Sequence, residues 1–379
     1  AEMPIGHKQF TEIAREIDRE KVRILVLDEP TAVLTESEAE ILLDAVKRLA
    51  ATGIGVIFIS HRLHEITGMC DRVVTLRDGK SVRDVPVGET TVEEIAVSMV
   101  GRDMAPPEKS QDNRVFGEPL LSVKNLWVDM PGEVVRNVSF DVREGEIFGI
   151  GGLAGQGKLG IPNGIMSLYP AGGEVLFKGK TLPRGNPKTA LAEGIAFVSE
   201  DRRGVGLLLD ETLEWNIAFT AMQSQNRFLK SFLGGLVRLR DEKAMKELAN
   251  TYIDMLEIKC TGSKQAAKEL SGGNQQKICL AKAFCLEPEL LFVSEPTRGI
   301  DVGAKAIVLD VLRKYNRELG VTIVMVSSEL EELRSVCDRI AIVSQGAVAD
   351  VLDPSASQAE FALSMAGLRE SGKNRIKEN

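Results

Sequence analysis

Aromatic side chains are scarce. Phe, Trp and Tyr make up 5% of the 379 residues, so the core must be built mainly from aliphatic side chains. Histidine is scarcer still, with 3 residues, His7, His61 and His64. The 5 cysteines, Cys70, Cys260, Cys279, Cys285 and Cys337, form no Cys-x-x-Cys pair. That combination argues against a zinc site, and scattered thiols in odd number fit a reducing compartment. An excess of positive charge is also lacking: 47 Lys and Arg stand against 55 Asp and Glu, for a formal net charge of −8. Nucleic-acid binding through phosphate neutralisation is therefore not expected. No apolar run approaches the ~18 residues of a membrane helix, and the first ten residues, AEMPIGHKQF, are not expected to be a signal peptide.

What is present is an internal repeat. Residues 25–80 begin LVLDEPT and residues 291–347 begin LFVSEPT. Both continue through an amphipathic helical pattern, an apolar strand, Ser, an acidic helix and Cys-Asp-Arg. Glu29 and Cys70 are 41 positions apart; Glu295 and Cys337 are 42 apart. Shared order over this length implies a duplicated domain. Upstream, EMPIGHKQFTEIARE in the first copy matches ELSGGNQQKICLAKA in the second. In the second copy a glycine loop lies further back still, with Lys158 at 115 positions before Gly273. That spacing would fall before residue 1 in the first copy, so the chain is expected to start inside its first domain. The organisation expected is 1–100 for the first, incomplete domain, 101–118 for a Pro-containing linker, 119–365 for the second domain and 366–379 for a polar, disordered tail. Short alternating strands after 119 suggest an antiparallel β layer leading into a buried strand at 147–151. Alternating strands and helices after about 185 suggest a parallel sheet, and 239–260 has helical periodicity.

Four motifs carry chemistry. GLAGQGKLG nearly matches Gly-x-x-x-x-Gly-Lys-[Ser/Thr]. In such loops backbone N–H groups hold phosphates, Lys reaches the outer phosphate oxygens and the hydroxyl ligates Mg²⁺. Gly152, Gly155, Gly157 and Lys158 are present, but Leu159 replaces the hydroxyl. Pro162 is expected to kink or shorten the following helix. Asp28 and Glu29 end an apolar strand, as a metal-side acid and a water-polarising base would; a lone Asp-Glu is more often a solvated pair. The second copy has Ser294 and Glu295 there. Ser271, Gly272 and Gly273 open a helix in LSGGN, where an anion can approach; alone this is an N-capped helix. His61 ends strand GVIFIS, and Ser328 takes its place in the second copy. An isolated His there more often caps a helix.

Together these motifs resemble the ATP-binding-cassette family over essentially the whole chain, and more narrowly the fused tandem ATPases of bacterial sugar importers of the ribose/galactose/xylose type. LSGGNQQK, EPTRGIDVGAK, VSSELEEL and VSEDRRGVGLLLD carry the narrower resemblance. It implies an α/β fold: a P-loop NTPase (RecA-like) parallel sheet core with an antiparallel β subdomain and a helical subdomain, as two tandem cassettes, the first incomplete. It implies ATP and Mg²⁺ as ligands, transmembrane permease subunits and, indirectly, a periplasmic or extracellular sugar-binding protein as partners, and a place on the cytoplasmic face of the membrane. The missing N-terminal part of the first cassette would be a further partner. In that family each ATP lies between one cassette's loop and the other's signature. One site would then use Glu29 as general base, Asp28 for Mg²⁺, His61 at the γ-phosphate, and Ser271, Gly272 and Gly273. The other would use Lys158, Leu159, Ser294, Glu295, Ser328 and the MPIGH segment, and is expected to be disabled for hydrolysis. Its adenine-stacking position would be taken by Met130, with Trp127 nearby, so adenine stacking is not expected there, and SEDRR (199–203) would face the permease. The alternatives are a soluble cassette protein acting on ribosomes or DNA and a non-hydrolytic nucleotide sensor. The transported sugar is not legible.

Overall fold

A computed structural model describes residues 11, 15, 22–28, 30–31, 36–60, 63–77, 80–92, 94–95, 98, 114, 116–232, 237–300, 302–365 and 367. The chain divides into two compact units, residues 1–110 with 301–303, and residues 111–300 with 304–379. Glu29, His61, the MPIGH segment, nearly all of the expected linker and all of the tail but Gly367 lie outside the described residues.

In the first unit, β1 (Ile24–Asp28), α1 (Glu36–Ala51), β2 (Gly55–Ile59), α2 (Leu63–Met69), β3 (Arg72–Arg77) and β4 (Lys80–Pro86) follow in order. β1 and β2 pair in parallel, which requires the crossover that α1 supplies. Leu25 and Leu27 pack with Ala39, Leu42 and Val46 of α1. Side chains of opposite parity point away, so Ile24, Val26, Ile57 and Ile59 are exposed.

The second unit is built on one ten-stranded sheet. Its first strands are β5 (Pro119–Met130), β6 (Glu133–Arg143) and β7 (Ile147–Gly152), followed by α3 (Gly160–Ile165). Then come β8 (Ala171–Phe177), β9 (Lys180–Thr181), α4 (Pro187–Ala192) and β10 (Ile195–Val198). A helical portion holds α5 (Leu213–Gln225), the hairpin β11 (Leu229–Phe232) and β12 (Val237–Arg240), α6 (Glu242–Met255) and α7 (Gly272–Phe284). The chain returns through β13 (Leu290–Ser294), α8 (Val302–Leu319), β14 (Thr322–Val326), α9 (Leu330–Val336), β15 (Arg339–Ser344), β16 (Ala347–Leu352) and α10 (Gln358–Met365). Strand order is β10-β13-β14-β7-β15-β16-β6-β5-β8-β9.

The strands β10, β13, β14, β7 and β15 are mutually parallel. β7, β13 and β14 are buried along their whole length, which is why they read as continuous apolar runs. Period-two alternation divides their side chains between two cores. Leu291, Val293, Ile323 and Met325 pack with α5, α7 and α8. Phe148, Phe292, Val324 and Val326 pack with β5, β6, β8 and α3. Phe140 of β6 stacks on Phe148 of β7 at 5.4 Å, tying the antiparallel layer to the parallel core.

Three local expectations need correction. The helix read at 239–260 begins only at Glu242, because Val237–Arg240 is taken by a strand paired with Leu229–Phe232. Asp241 marks the boundary, its carboxylate accepting from the Ala244 amide as an N-cap. The buried strand at 147–151 runs one residue further, to Gly152. The helix after the glycine loop is short, with 6 residues in α3, but Pro162 is not what ends it: the proline stands in the first turn, where no helical N–H is missed, and the helix gives way before Ser167, at φ 58°.

Candidate functional site

The glycine loop leaves the carboxyl end of the central strand β7, where ligands gather in open α/β sheets. Its path depends on glycine. Gly157 has φ 110°, and a Cβ there would lie 2.1 Å from the Val134 carbonyl oxygen. At Gly152 a Cβ would lie 2.4 Å from the Val343 carbonyl oxygen. Gly155 also has positive φ, 72°.

Lys158 is 1% exposed. Its Nζ donates to the Gly152 carbonyl at 3.1 Å and lies 4.0 Å from Glu295 Oε1. Burial pulls the ammonium below its ordinary value, while Glu295 and Glu133 oppose that shift. Glu295 sits just beyond β13 at φ 47°, held by a 2.7 Å bond from its N–H to the Val326 carbonyl. Ser328 Oγ donates to Glu295 Oε1 at 2.5 Å, so the serine aligned with His61 touches the acid aligned with Glu29. Ser294 Oγ is buried and has no hydrogen-bond partner among the described residues.

One site residue gave no signal in the sequence. Glu133, the first residue of β6, directs Oε2 at the glycine loop, where it accepts from Gly157 N at 2.8 Å and Leu159 N at 3.3 Å. Backbone amides of this kind are the donors that a glycine loop offers to phosphate oxygens. Burial pushes its carboxyl up; Lys158 and the loop amides pull it back. Met130 pairs with Glu133 across the hairpin, and Trp127 lies over Gly172, 47% exposed.

The donor set therefore suits a phosphate: it already binds an anion. It does not suit Mg²⁺. Leu159 packs against the apolar core, Ser294 carries no charge, and Glu295 is engaged by Lys158 and Ser328. No cluster of three metal-ligating side chains occurs among the described residues.

Ser271, Gly272 and Gly273 lie apart from this group in their hydrogen bonding, at the start of α7. Ser271 is the N-cap residue, and its Oγ accepts from Asn274 Nδ2 at 2.9 Å. Arg202 of the SEDRR segment donates to the carbonyls of Gly272, at 3.1 Å, and Gly299, at 3.3 Å. A Cβ on Gly273 would lie 2.9 Å from Ala304 Cβ, so the helix start fits closely against α8.

In the first unit, Asp28 ends β1 opposite Ile59, with its side chain exposed. Thr31 Oγ1 and Ser60 Oγ both donate to Glu65 Oε2, at 2.9 and 3.1 Å. The second unit repeats this arrangement. Thr297 Oγ1 donates to Glu332 Oε1 at 2.5 Å and Ser327 Oγ to Glu332 Oε2 at 2.9 Å. The sequence separations are 34 and 5 in the first, 35 and 5 in the second. Aligning the two copies would have exposed this glutamate, since Ser-x-x-x-x-Glu occurs in both.

Known proteins were compared with the chain. The family model for ABC transporters matches residues 135–298. A ribose import ATP-binding protein of Agrobacterium fabrum is 39% identical over 350 residues, covering 92% of this chain and 67% of the relative. One from Rhizobium etli is 37% identical over 369 residues, covering 97% and 70%. One from Rhizobium meliloti is 39% identical, covering 92% and 66%. The chain thus spans about two thirds of the length of these relatives. Among solved structures, an ATP-binding cassette dimer bound to ADP and Pi aligns with TM-score 0.51 at 23% identity, covering 62% of this chain and 100% of that one. A nucleotide-free cassette from an ABC transporter aligns with TM-score 0.52 at 18% identity, covering 66% and 96%. These structures share the α/β cassette fold.

Proposed function

We propose, from the premise that this chain belongs to the ABC transporter family of ATP-binding proteins, that it serves as the ATP-binding subunit of a bacterial sugar importer and couples ATP binding and hydrolysis to transport. The observation that carries the reading is the group at the head of β7: a buried ammonium, Lys158, on a glycine loop whose amides hold an anion. The relatives named for ribose import give the substrate class, a sugar. The partners are permease subunits in the membrane, reached through the SEDRR segment, and through them a sugar-binding protein. No helix among the described residues is long and apolar enough to cross a membrane, and we place the chain peripherally on the cytoplasmic face.

The tandem organisation belongs to the same proposal. The matched Thr-Ser-Glu triads, Thr31–Ser60–Glu65 and Thr297–Ser327–Glu332, support two copies of one cassette. In the first copy Glu29 is the general base, Asp28 the Mg²⁺-side acid and His61 the γ-phosphate contact. Ser271, Gly272 and Gly273 are the signature that meets ATP. In the second copy Gly152, Gly155, Gly157 and Lys158 hold phosphate, with Glu295 beside Lys158, and hydrolysis is disabled. Leu159, Ser294 and Ser328 have replaced the three groups that would manage metal and γ-phosphate.

Calorimetric titration of this chain with ATP, with and without Mg²⁺, tests the reading. We expect binding that Mg²⁺ does not strengthen and that Lys158→Ala abolishes. Mg²⁺-dependent binding with turnover at this loop would overturn the disabled second site. Absence of any nucleotide binding would overturn its role as a phosphate holder.

A further inference from the structure

We propose that Glu133 is a built-in competitor of phosphate: its carboxylate occupies the loop amides of Gly157 and Leu159, and a nucleotide must displace it to bind. The inference deepens the proposed function and rests on the reading that this loop holds nucleotide.

The placement of Glu133 is set by backbone packed against the loop. The turn joining β5 to β6 contains Gly132, at φ 81°. On the other side of Glu133, Val134 N donates to the Gly155 carbonyl at 3.3 Å, and the Val134 carbonyl lies under Gly157. With the chain fixed against the loop, the side chain needs only to extend to reach it. Both Gly157 N and Leu159 N then converge on one atom, Oε2. Charge reinforces the geometry, since Glu133 and the buried Lys158 interact favourably.

Charge-assisted bonds of this kind are among the stronger ones. The carboxylate is covalently tethered beside its donors, so its effective concentration is far above that of a free ligand. A phosphate arriving from solution finds its amides already paired. It gains only the difference between its own bonds and those of Glu133, and it brings a second negative charge against the first unless the carboxylate swings away. Glu133 therefore lowers the affinity of this loop for phosphate anions without removing any of the groups that bind them. It is distinct from the changes at Leu159, Ser294 and Ser328, which alter the metal and γ-phosphate positions but leave the loop amides free to bind.

The experiment is calorimetric titration of the full chain with ADP and with inorganic pyrophosphate, in the absence of Mg²⁺. Wild type, Glu133→Ala, Glu133→Gln and the double variant Glu133→Ala/Lys158→Ala are compared, with the melting temperature of each recorded. The expected result is a gain of about tenfold in affinity for both probes in Glu133→Ala, the size of one charged hydrogen bond released. Glu133→Gln should show a smaller gain, and the double variant should lose it. Equal or weaker binding in a folded Glu133→Ala would overturn the proposal and leave the phosphate-holding role intact. If the alanine variant does not fold, an unchanged affinity in Glu133→Gln overturns it in the same way. A gain that survives loss of Lys158 places the effect elsewhere and also overturns it. Absence of binding in every variant would overturn both this inference and the reading it rests on.

Discussion

Lys158 Nζ lies 4.0 Å from Glu295 Oε1, with 2% and 8% of the two side chains exposed. Each charge is affordable in the interior because the other is there. Replacing Lys158 with Met removes the cation beside Glu295 and leaves it the Ser328 hydroxyl; replacing Glu295 with Gln removes the carboxylate at 4.0 Å from Lys158 and leaves it the Gly152 carbonyl and the weaker pull of Glu133. Each single variant is expected to lose about 3 kcal/mol in urea denaturation. The double variant should be clearly more stable than the sum of the two losses implies. Additive losses would show that the two charges do not interact.

Gly157→Ala tests the loop's backbone. The added methyl meets the Val134 carbonyl oxygen at 2.1 Å, at a φ of 110° that side chains rarely adopt. Neither problem is relieved without moving the loop or the β6 backbone. The expected loss of stability is about 2–4 kcal/mol, accompanied by loss of ADP binding. Gly179→Ala is the control: it has φ 74° with open space around it, so only the conformational cost applies, about 1 kcal/mol. Equal effects at the two positions would show that the close approach to Val134 is unimportant.

The parallel core was legible because its strands are buried on both faces. LLFVS and TIVMV carry no alternation, and such runs between helical patterns imply a covered parallel sheet. The loop was legible because Gly152 and Gly157 have conformations that demand glycine. The β11–β12 hairpin was not. LKSF and VRLR are short, and Lys230, Arg238 and Arg240 are charged residues on a two-stranded ribbon with no core of their own to impose a pattern. Glu133 was illegible for another reason. Nothing about a glutamate after Pro-Gly marks it as a loop ligand; its partner lies 24 residues away and is reached only once β6 is paired in the sheet. The Thr297–Glu332 contact lies between, visible only by laying one copy on the other.

Glu332 should make stability depend on pH. Burial, and then Glu329, push its carboxyl from 4.5 up to about 7, against the pull of Thr297, Lys305 and Ser327. A folded-state value above the unfolded one means that folding favours the protonated form. This contribution to stability is complete below about pH 4.5 and is lost as pH rises through about 7. Chemical denaturation of wild type and Glu332→Gln at pH 5 and pH 8 isolates it. Between these pH values the difference should move by about 2 kcal/mol in favour of the variant. A difference that does not change with pH would mean that the acid is ionised throughout, held so by Lys305 and the two hydroxyls.

Arg202 links the SEDRR segment to the start of α7. One guanidinium nitrogen donates to the Gly272 carbonyl and another to the Gly299 carbonyl. Burial pulls this guanidinium below its ordinary value, so the contacts must repay its desolvation. Lysine has a single ammonium and cannot reproduce the planar fork. Arg202→Lys is therefore expected to behave almost as Arg202→Ala, each losing about 1–2 kcal/mol. The loss should be local before it is global. Hydrogen exchange should quicken at the first amides of α7 with bonded carbonyl partners, such as Gln275, whose N–H bonds the Ser271 carbonyl at 2.9 Å. Exchange in β13 should not change, because that strand is held by its neighbours on both sides. Quickened exchange through β13 as well would mean that Arg202 supports the whole unit. Unchanged exchange at α7 would mean that this helix starts where it does without the arginine, through contacts such as the Ser271–Asn274 bond and the close fit of Gly273 against Ala304.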